Sequence, residues 1–446
     1  MKQHDIFIVF PNQLYKDLRK YQNVYLVEEP LFFYDDDKRP LAYHKAKLAY
    51  MVTCMKTYNM HTQTTYVPYK DIAQFYNSIK GKSIVMHDPM DHDVIAKYRD
   101  ICSDVTILPS KSFVMTQQDL QEFHQPGKNA LHSRFFDFVK RKLNVLVTQP
   151  STDKENQRPM PKKDFVPPST PRYHSKHHKH AIEYVESLWP SNPGTYDGLT
   201  LWPTTHKQAL AHLKTFLKER FHNFGTYQDA VHPDHPFLYH STISPALNIG
   251  LLTPQQVLKE ALAYASKHNI PMNSLEGFVR QLIGWREYMR YLYVFHHTAY
   301  ISHPIPKAKS NRIKDWNAWH TGTTPFPIIN AEIKKCLSIS GGYAHHIIRL
   351  MVFLNIFLLL RIHPEDIYKW FMEVCAIDAY DWVMKPNIYC MGYFYPKAMS
   401  RQYISTSNYV VKMSSSSYKR DPEWDKLFHK YITDFRPPAY LRNLKT

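Results

Sequence analysis

The sequence predicts an α/β domain with a Rossmann-like parallel sheet followed by an all-α domain, and three observations carry that prediction. Short apolar strands alternate with helical segments over about the first 130 residues, the order that builds a doubly wound parallel sheet. Residues 147–180 are rich in Pro, Lys and His, lack periodicity, and read as a crossing between domains. Beyond residue 205, apolar side chains recur at helical spacing. The expected parts are residues 1–135, a connecting region 136–204, and residues 205–446.

Asp5 to Phe10 is a nearly continuous apolar run of the kind buried on both faces of a sheet. Asn23 to Val27, Lys82 to Met86 and Val105 to Leu108 complete four predicted strands. Between them, Tyr43 to Tyr58 sets Leu48, Met51, Val52 and Met55 at helical spacing, and Asp71 to Lys80 is a second helix. Such sheets bind ligands at the carboxyl ends of their strands, here Phe10-Pro11-Asn12-Gln13 and Glu28-Glu29-Pro30. No Gly-x-Gly-x-x-Gly accompanies those ends, so no pyrophosphate is specifically signalled. In the second half His206 to Arg220, Thr253 to His268 and Ser274 to Phe295 are helical, the last with Phe278, Leu282, Trp285, Met289 and Leu292 on one stripe. Gly284 interrupts that helix at a cost of roughly 1 kcal/mol against Ala. Either a cofactor or another backbone approaches there, or a simple packing contact does.

Composition restricts the partners. The 446 residues suffice for two or more domains with substantial cores. The formal charge of +17 is uneven: residues 1–130 hold 16 Lys and Arg against 15 Asp and Glu, leaving 40 against 24 in residues 131–446. A surplus confined to one part favours a polyanion, nucleic acid or an anionic surface, over a small neutral substrate. With 32 Tyr and 8 Trp, many amphipathic rings are on hand to stack on planar ligands. Cys54, Cys102, Cys336, Cys375 and Cys390 form no paired spacing, which indicates neither a zinc site nor a disulfide framework and fits a reducing compartment. The N-terminus lacks a signal-peptide apolar stretch, and the longest apolar run, Leu350 to Leu360, is too short to span a bilayer. The expectation is a soluble, intracellular monomer.

The segment Tyr343 to Met351 sets two imidazoles and a guanidinium at the mouth of an apolar helix. On helical geometry Arg349 neighbours both His345 and His346, and a histidine pair titrating near neutrality suits proton transfer in a pocket. Hydrogen-bonded core histidines beside a surface arginine are the alternative. Three further segments offer groups to a large cofactor. Phe224 to Ala230 brings a ring and an amide. His240 to Pro245 brings the hydroxyls of Ser241, Thr242 and Ser244 ahead of a helix, where they bind phosphate or merely cap. Arg280 to Glu287 sets the Trp285 indole beside the Arg286 guanidinium.

These residues resemble a known pattern. Phe10-Pro11-Asn12-Gln13-Leu14, His44 to Leu48, Tyr227 to Ala230, Ser241 to Pro245 with Asn248 to Leu252, Glu276 to Glu287, Tyr343 to Met351, and Asp378 to Val383 with Pro386-Asn387 fall in the order of the photolyase/cryptochrome family. The chain is most similar to its prokaryotic iron–sulfur (6-4) branch, the deoxyribodipyrimidine photolyase-related proteins. The resemblance implies an antenna-binding α/β domain and a helical domain that folds FAD beneath a basic DNA-binding face. It implies light-driven electron transfer from reduced FAD to a flipped-out ultraviolet lesion, or blue-light reception without repair. Carried over, Tyr227, Ser241, Thr242, Ser244, Gln281, Arg286 and Asp381 would hold FAD, Arg349 would pair with Asp378 beside its ring system, and Trp382 would relay electrons. Trp285 and Arg401 would meet DNA, and Phe10, Gln13 and Glu28 would hold a lumazine-type antenna. His345 and His346 match the proton donors used on (6-4) photoproducts. One departure follows: the branch's cluster cysteines are replaced by Asn408 to Lys419, and no cysteine follows Cys390, so no iron–sulfur cluster and no other metal is expected. That segment should pack directly or stay mobile.

Overall fold

The computed structural model describes residues 6–16, 21, 23–33, 39–62, 64–156, 158–161, 168–399 and 402–435. Five parallel strands, β1 (Ile6–Val9), β2 (Asn23–Val27), β3 (Thr65–Val67), β4 (Ser83–His87) and β5 (Asp104–Leu108), form one sheet in the order β3-β2-β1-β4-β5. β1 is the central strand, and Phe7, Ile8 and Val9 are buried, which explains its apolar run. The four predicted strands are present. β3 was not foreseen, because Thr65-Tyr66-Val67 at the sheet edge is too short to show alternation. The direction of winding reverses between β1 and β4, where sheets of this class open a crevice.

Helices cover the sheet. Lys45–Thr62 buries Leu48, Met51, Val52 and Met55 as their spacing predicts, and Ile72–Ile79 follows β3. His92–Ile101, unpredicted, begins at Asp91, whose carboxylate caps the amides of Asp93 and Val94. The connecting region holds more structure than its composition suggested. His132–Leu143 packs against the segment Arg280–Trp285, and His178–Leu188 lies along Lys45–Thr62, with the Lys45 ammonium donating to Glu186 at 2.8 Å. The buried stripe of that second helix is only Ala181 and Val185, set among His and Lys, so no period could be read.

The rest is helical. His206–Glu219 and Pro254–Ala265 start at Thr205 and Thr253, whose hydroxyls accept from the amides of Gln208 and Gln256. One long helix then runs through Met272–Val279, a π-helical stretch Arg280–Trp285, and Arg286–Ile301. A Cβ on Gly284 would meet Phe136 Cδ2 at 2.9 Å and His132 Nε2 at 3.3 Å, so the glycine answers to side-chain packing by His132–Leu143 and not to a cofactor or a second backbone. Two further π-helical stretches, Ile348–Leu354 and Asn387–Met391, lie in the same half. Among the described residues no helix is long and apolar enough to cross a membrane.

The two parts are fastened at several points. After β5 the chain reaches across the helical part: Glu287 accepts from the amides of Val114 (2.6 Å) and Met115 (3.4 Å), and Gln255 donates to Phe113 O at 2.6 Å. Arg39 holds Asp91 with two hydrogen bonds of 2.7 and 2.9 Å and comes within 4.0 Å of Asp381.

Candidate functional site

A cavity of about 540 Å³ opens within the helical part. Its floor is apolar, with Leu247, Phe278, Leu282, Leu354, Met384 and Ile388 among its members. All three π-helical stretches contribute to its wall, through Gln281 and Trp285, through Leu350 and Met351, and through Asn387 and Met391. A π turn shifts the helical register by one residue, which redirects side chains, and such turns gather at functional sites.

The polar wall centres on Arg349 and Asp378, which form a direct ion pair. Arg349 Nε also donates to Ala344 O at 2.6 Å, while Ser244 Oγ donates to the other Asp378 oxygen at 2.6 Å and Asn248 Nδ2 to its carbonyl at 2.8 Å. This pair is the one the sequence implied. Behind it, the buried Lys47 donates to Ala379 O at 2.5 Å and lies over the rings of Tyr43 and Tyr380; burial lowers its pKa to about 7. Arg286 is clamped between the rings of Phe113 and Trp382, 5.1 and 4.8 Å from their centroids, and donates to Ser112 O and Asn248 Oδ1. Its Nη2 is buried without a hydrogen-bond partner, and burial pushes its pKa down to about 10. Ser241, Ser244 and Gln281, expected to hold FAD, line the cavity, and so does Trp285, expected to meet DNA.

The histidines part company. Helix begins only at His346, so His345 sits in the preceding loop, 3% exposed and stacked on His240 with ring centroids 4.2 Å apart. His346 turns its open face into the cavity, edge-on to Trp285. Desolvation lowers both pKa values from the histidine norm, with Arg349 and His240 adding to the effect, a direction opposite to the near-neutral titration that the sequence suggested, although only His345 is buried and His346 is exposed.

Several expected cofactor residues point elsewhere. Tyr227 stacks on Tyr239 beside Met160 and Leu238. Thr242, at φ 51°, meets His212 Nε2 at 2.8 Å. Asp381 is enclosed by Tyr293, Tyr368 and Lys385; burial would raise its pKa, but Arg39 and Lys385 hold it far below the carboxylate range. It is a structural anchor, not a cavity residue. Trp382 is not among the residues that line the cavity and packs on Arg286 and Phe113. Arg401 lies outside the described residues.

The expected antenna residues are engaged internally. Phe10 packs on Phe32 and Tyr98. Gln13 donates to His87 O at 2.9 Å, while its Oε1 is buried without a hydrogen-bond partner. Glu28, fully buried, accepts from the hydroxyls of Tyr66 and Tyr184 and from the amide of Tyr69, and burial raises its pKa. The stretch Asn408 to Lys419 packs directly, as one of its two expected states: Met413 O accepts from the amides of Met160 and Val231, and Tyr418 donates to Glu332. Among the described residues no group of three or more His, Cys, Asp or Glu is arranged to hold a metal ion.

Sequence reasoning gave no role to His240, Lys47 or Phe113. The first was hidden at the head of a hydroxyl-rich segment, and the other two come from the α/β part, where only the fold brings them to Ala379 and Arg286.

Comparison with known proteins adds the following. Residues 7–201 match the family described as deoxyribodipyrimidine photo-lyase-related protein, and residues 278–424 match the FAD binding domain of DNA photolyase. A (6-4) photolyase of Agrobacterium fabrum strain C58 is 33% identical over 321 residues, 70% of this chain; the match spans 62% of the relative's own length. A cryptochrome from Synechocystis sp. PCC6803 superposes with a TM-score of 0.59 at 15% identity, covering 98% of this chain and 88% of the other. A bacterial class III photolyase from Agrobacterium tumefaciens superposes with a TM-score of 0.56 at 18% identity, covering 99% and 91%.

Proposed function

Because the chain belongs to the photolyase/cryptochrome family, we propose that its helical cavity holds FAD and that the protein is a DNA photolyase for ultraviolet-damaged pyrimidines, the (6-4) photoproduct foremost. The observation that carries this reading is the Arg349–Asp378 pair set in a cavity with an apolar floor and a polar wall. The residues suit such a group. A planar ring system gains from the apolar floor, a diphosphate from Arg280 and the hydroxyl of Ser241, and the buried Arg286 Nη2 asks for an acceptor. Bound there, FAD would supply a light-driven one-electron donor.

The chain's own residues have three tasks. Arg349, fixed by Asp378 and by Ala344 O, presents a positive charge that needs no reorganisation when negative charge develops beside it. The apolar floor excludes water and strengthens that contact. Trp285, half-buried at the wall beside His346, offers a ring on which an extruded base could stack. The basic surplus of residues 131–446 supplies the phosphate contacts, and Trp382, packed against Arg286, would be the oxidisable ring of an electron relay. We place the protein in the cell interior as a monomer, with a second chromophore as an accessory.

A blue-light receptor without repair is the second reading. One observation favours it: His345 is buried in the loop and stacked on His240 instead of opening to the cavity, and burial lowers its pKa, so it is no free acid for (6-4) repair. The test is to illuminate the reduced protein with oligonucleotides carrying each lesion and count restored bases. Repair of (6-4) DNA supports the first reading, and yellow protein that repairs neither lesion supports the second.

A further inference from the structure

His240, in the wall of the cavity, has both ring nitrogens against backbone carbonyl oxygens: Nδ1 is 3.1 Å from Phe237 O and Nε2 is 2.9 Å from Gln228 O. A neutral imidazole has a single N–H. In either tautomer, one nitrogen lone pair therefore faces a carbonyl lone pair at hydrogen-bond distance, and only the imidazolium satisfies both contacts. Other buried histidines escape this conflict. His44 meets Cys336 O through Nε2 and accepts from the Ala46 amide at Nδ1, so its neutral form is complete. His212 meets the hydroxyls of Tyr173 and Thr242, which can rotate to give or take a proton.

The surroundings explain what holds the second proton off. His240 is 8% exposed, and burial with the nearby Arg220 guanidinium, which donates to His240's own carbonyl at 3.3 Å, lowers its pKa to about 4. His345 stacks on one face with Lys335 near it, and His346, Arg280 and Arg349 follow along the wall. The two histidines are neutral, Lys335 is paired with Glu332 at 2.6 Å and Arg349 with Asp378, and Asp229 is a further acid of the cavity wall. The site thus holds a hydrogen-bonding frame already built for one more proton. An opposite charge within about 4–6 Å shifts such a balance toward the protonated ring, and Ser241, the next residue, lines the same wall.

We infer that binding of the anionic FAD diphosphate draws a proton onto His240, so that the imidazolium is part of the loaded site. This rests on the FAD reading proposed above. It makes His240 a positioning residue: as a cation it locks the 237–245 segment to Gln228 and balances the ligand's charge. The sign follows from linkage. The ring's pKa is higher with ligand than without, so FAD affinity is greatest at low pH and falls, by up to about tenfold per unit, as pH rises toward the loaded-state value.

The test is calorimetric titration of FAD into flavin-free protein at about pH 6, near the ordinary histidine value, in two buffers of different protonation enthalpy. The parent should take up close to one more proton than His240→Gln, whose amide donates without titrating. In parallel, nitrogen NMR of the loaded parent with labelled histidine should show a buried ring protonated at both nitrogens. Equal proton uptake by parent and variant, or a loaded His240 with one bare nitrogen, overturns the inference while leaving FAD binding intact. Protein that takes up no FAD sinks the proposed function and this inference together.

Discussion

The carboxyl end of β2 and the wall of the helical cavity both gather buried polar side chains, and they treat them in opposite ways. At the sheet, Glu28 is closed off by two tyrosine hydroxyls and an amide, and Glu29 by Tyr76, Tyr98 and Lys97. In the cavity, Arg286 keeps an unpartnered Nη2, His240 presents two nitrogens to two acceptors, and Arg349 and Asp378 lie at an open surface. The difference teaches how to tell architecture from site. Polar groups that partner one another complete a fold, whereas polar groups left aimed at a cavity need something from outside it. Beyond β2 the chain's own tyrosines close the polar groups off, whereas beyond β1 Asn12 Oδ1 and Gln13 Oε1 stay buried without hydrogen-bond partners.

The strongest way to break the comparison is Arg349→Ala. It leaves Asp378 charged and unpaired, so folding should weaken by about 3–5 kcal/mol and the purified protein should lose its flavin absorbance; retained colour with normal denaturant stability would contradict the assignment. Glu28→Ala tests the other side. It strands three donors and should cost about 3 kcal/mol, yet leave flavin binding per folded molecule unchanged, as absorbance against denaturation midpoint can show. Loss of colour at normal stability would instead make the sheet crevice part of the site.

Lys47 belongs to both regions, since it leaves the α/β part to end beside Asp378. Its folded pKa of about 7 lies below the ordinary 10.5, so between these values the unfolded chain binds more protons and stability rises with pH. The benefit is full above the upper value and is lost as pH falls toward the lower one. Lys47→Met should therefore remove up to about 1.4 kcal/mol per pH unit of that rise, visible in urea unfolding across the window. A smaller effect belongs to Trp285→Ala, which should weaken binding of damaged single strands by about 1–3 kcal/mol without changing the flavin spectrum. Gly284→Ala is the mildest. Helix propensity gains roughly 1 kcal/mol, the contact with Phe136 takes it back, and the melting temperature should move little.

Much of the architecture was legible because it depends on local pattern. β1 reads as a central strand from Ile6-Phe7-Ile8-Val9 alone, and Thr205 and Thr253 announce the helices they cap. β3 and the helix His178–Leu188 were not legible, the one for brevity and the other because two small apolar residues leave no stripe. In the site, the Arg349–Asp378 pair followed from family resemblance and was found in place. Asp381, Thr242 and Tyr227 looked equivalent in sequence, but a change of one residue in position exchanges the cavity for the interior: Ser241 faces in while Thr242 turns to His212. The π-helical stretches are the other hidden element, since no residue type prescribes an i to i+5 turn.

The strap that follows β5 has a consequence for how the molecule can be handled. Phe113 roofs Arg286, Ser112 O receives it, and the amides of Val114 and Met115 neutralise Glu287, so a few residues encoded with the sheet complete the inner helix of the other part. Cutting the gene between the two parts would take Ser112 O and the Phe113 ring from Arg286 and both amides from Glu287, its neighbour on the same helix. The parts are thus not interchangeable cassettes, and a swap with a relative would have to carry the strap and its seat together.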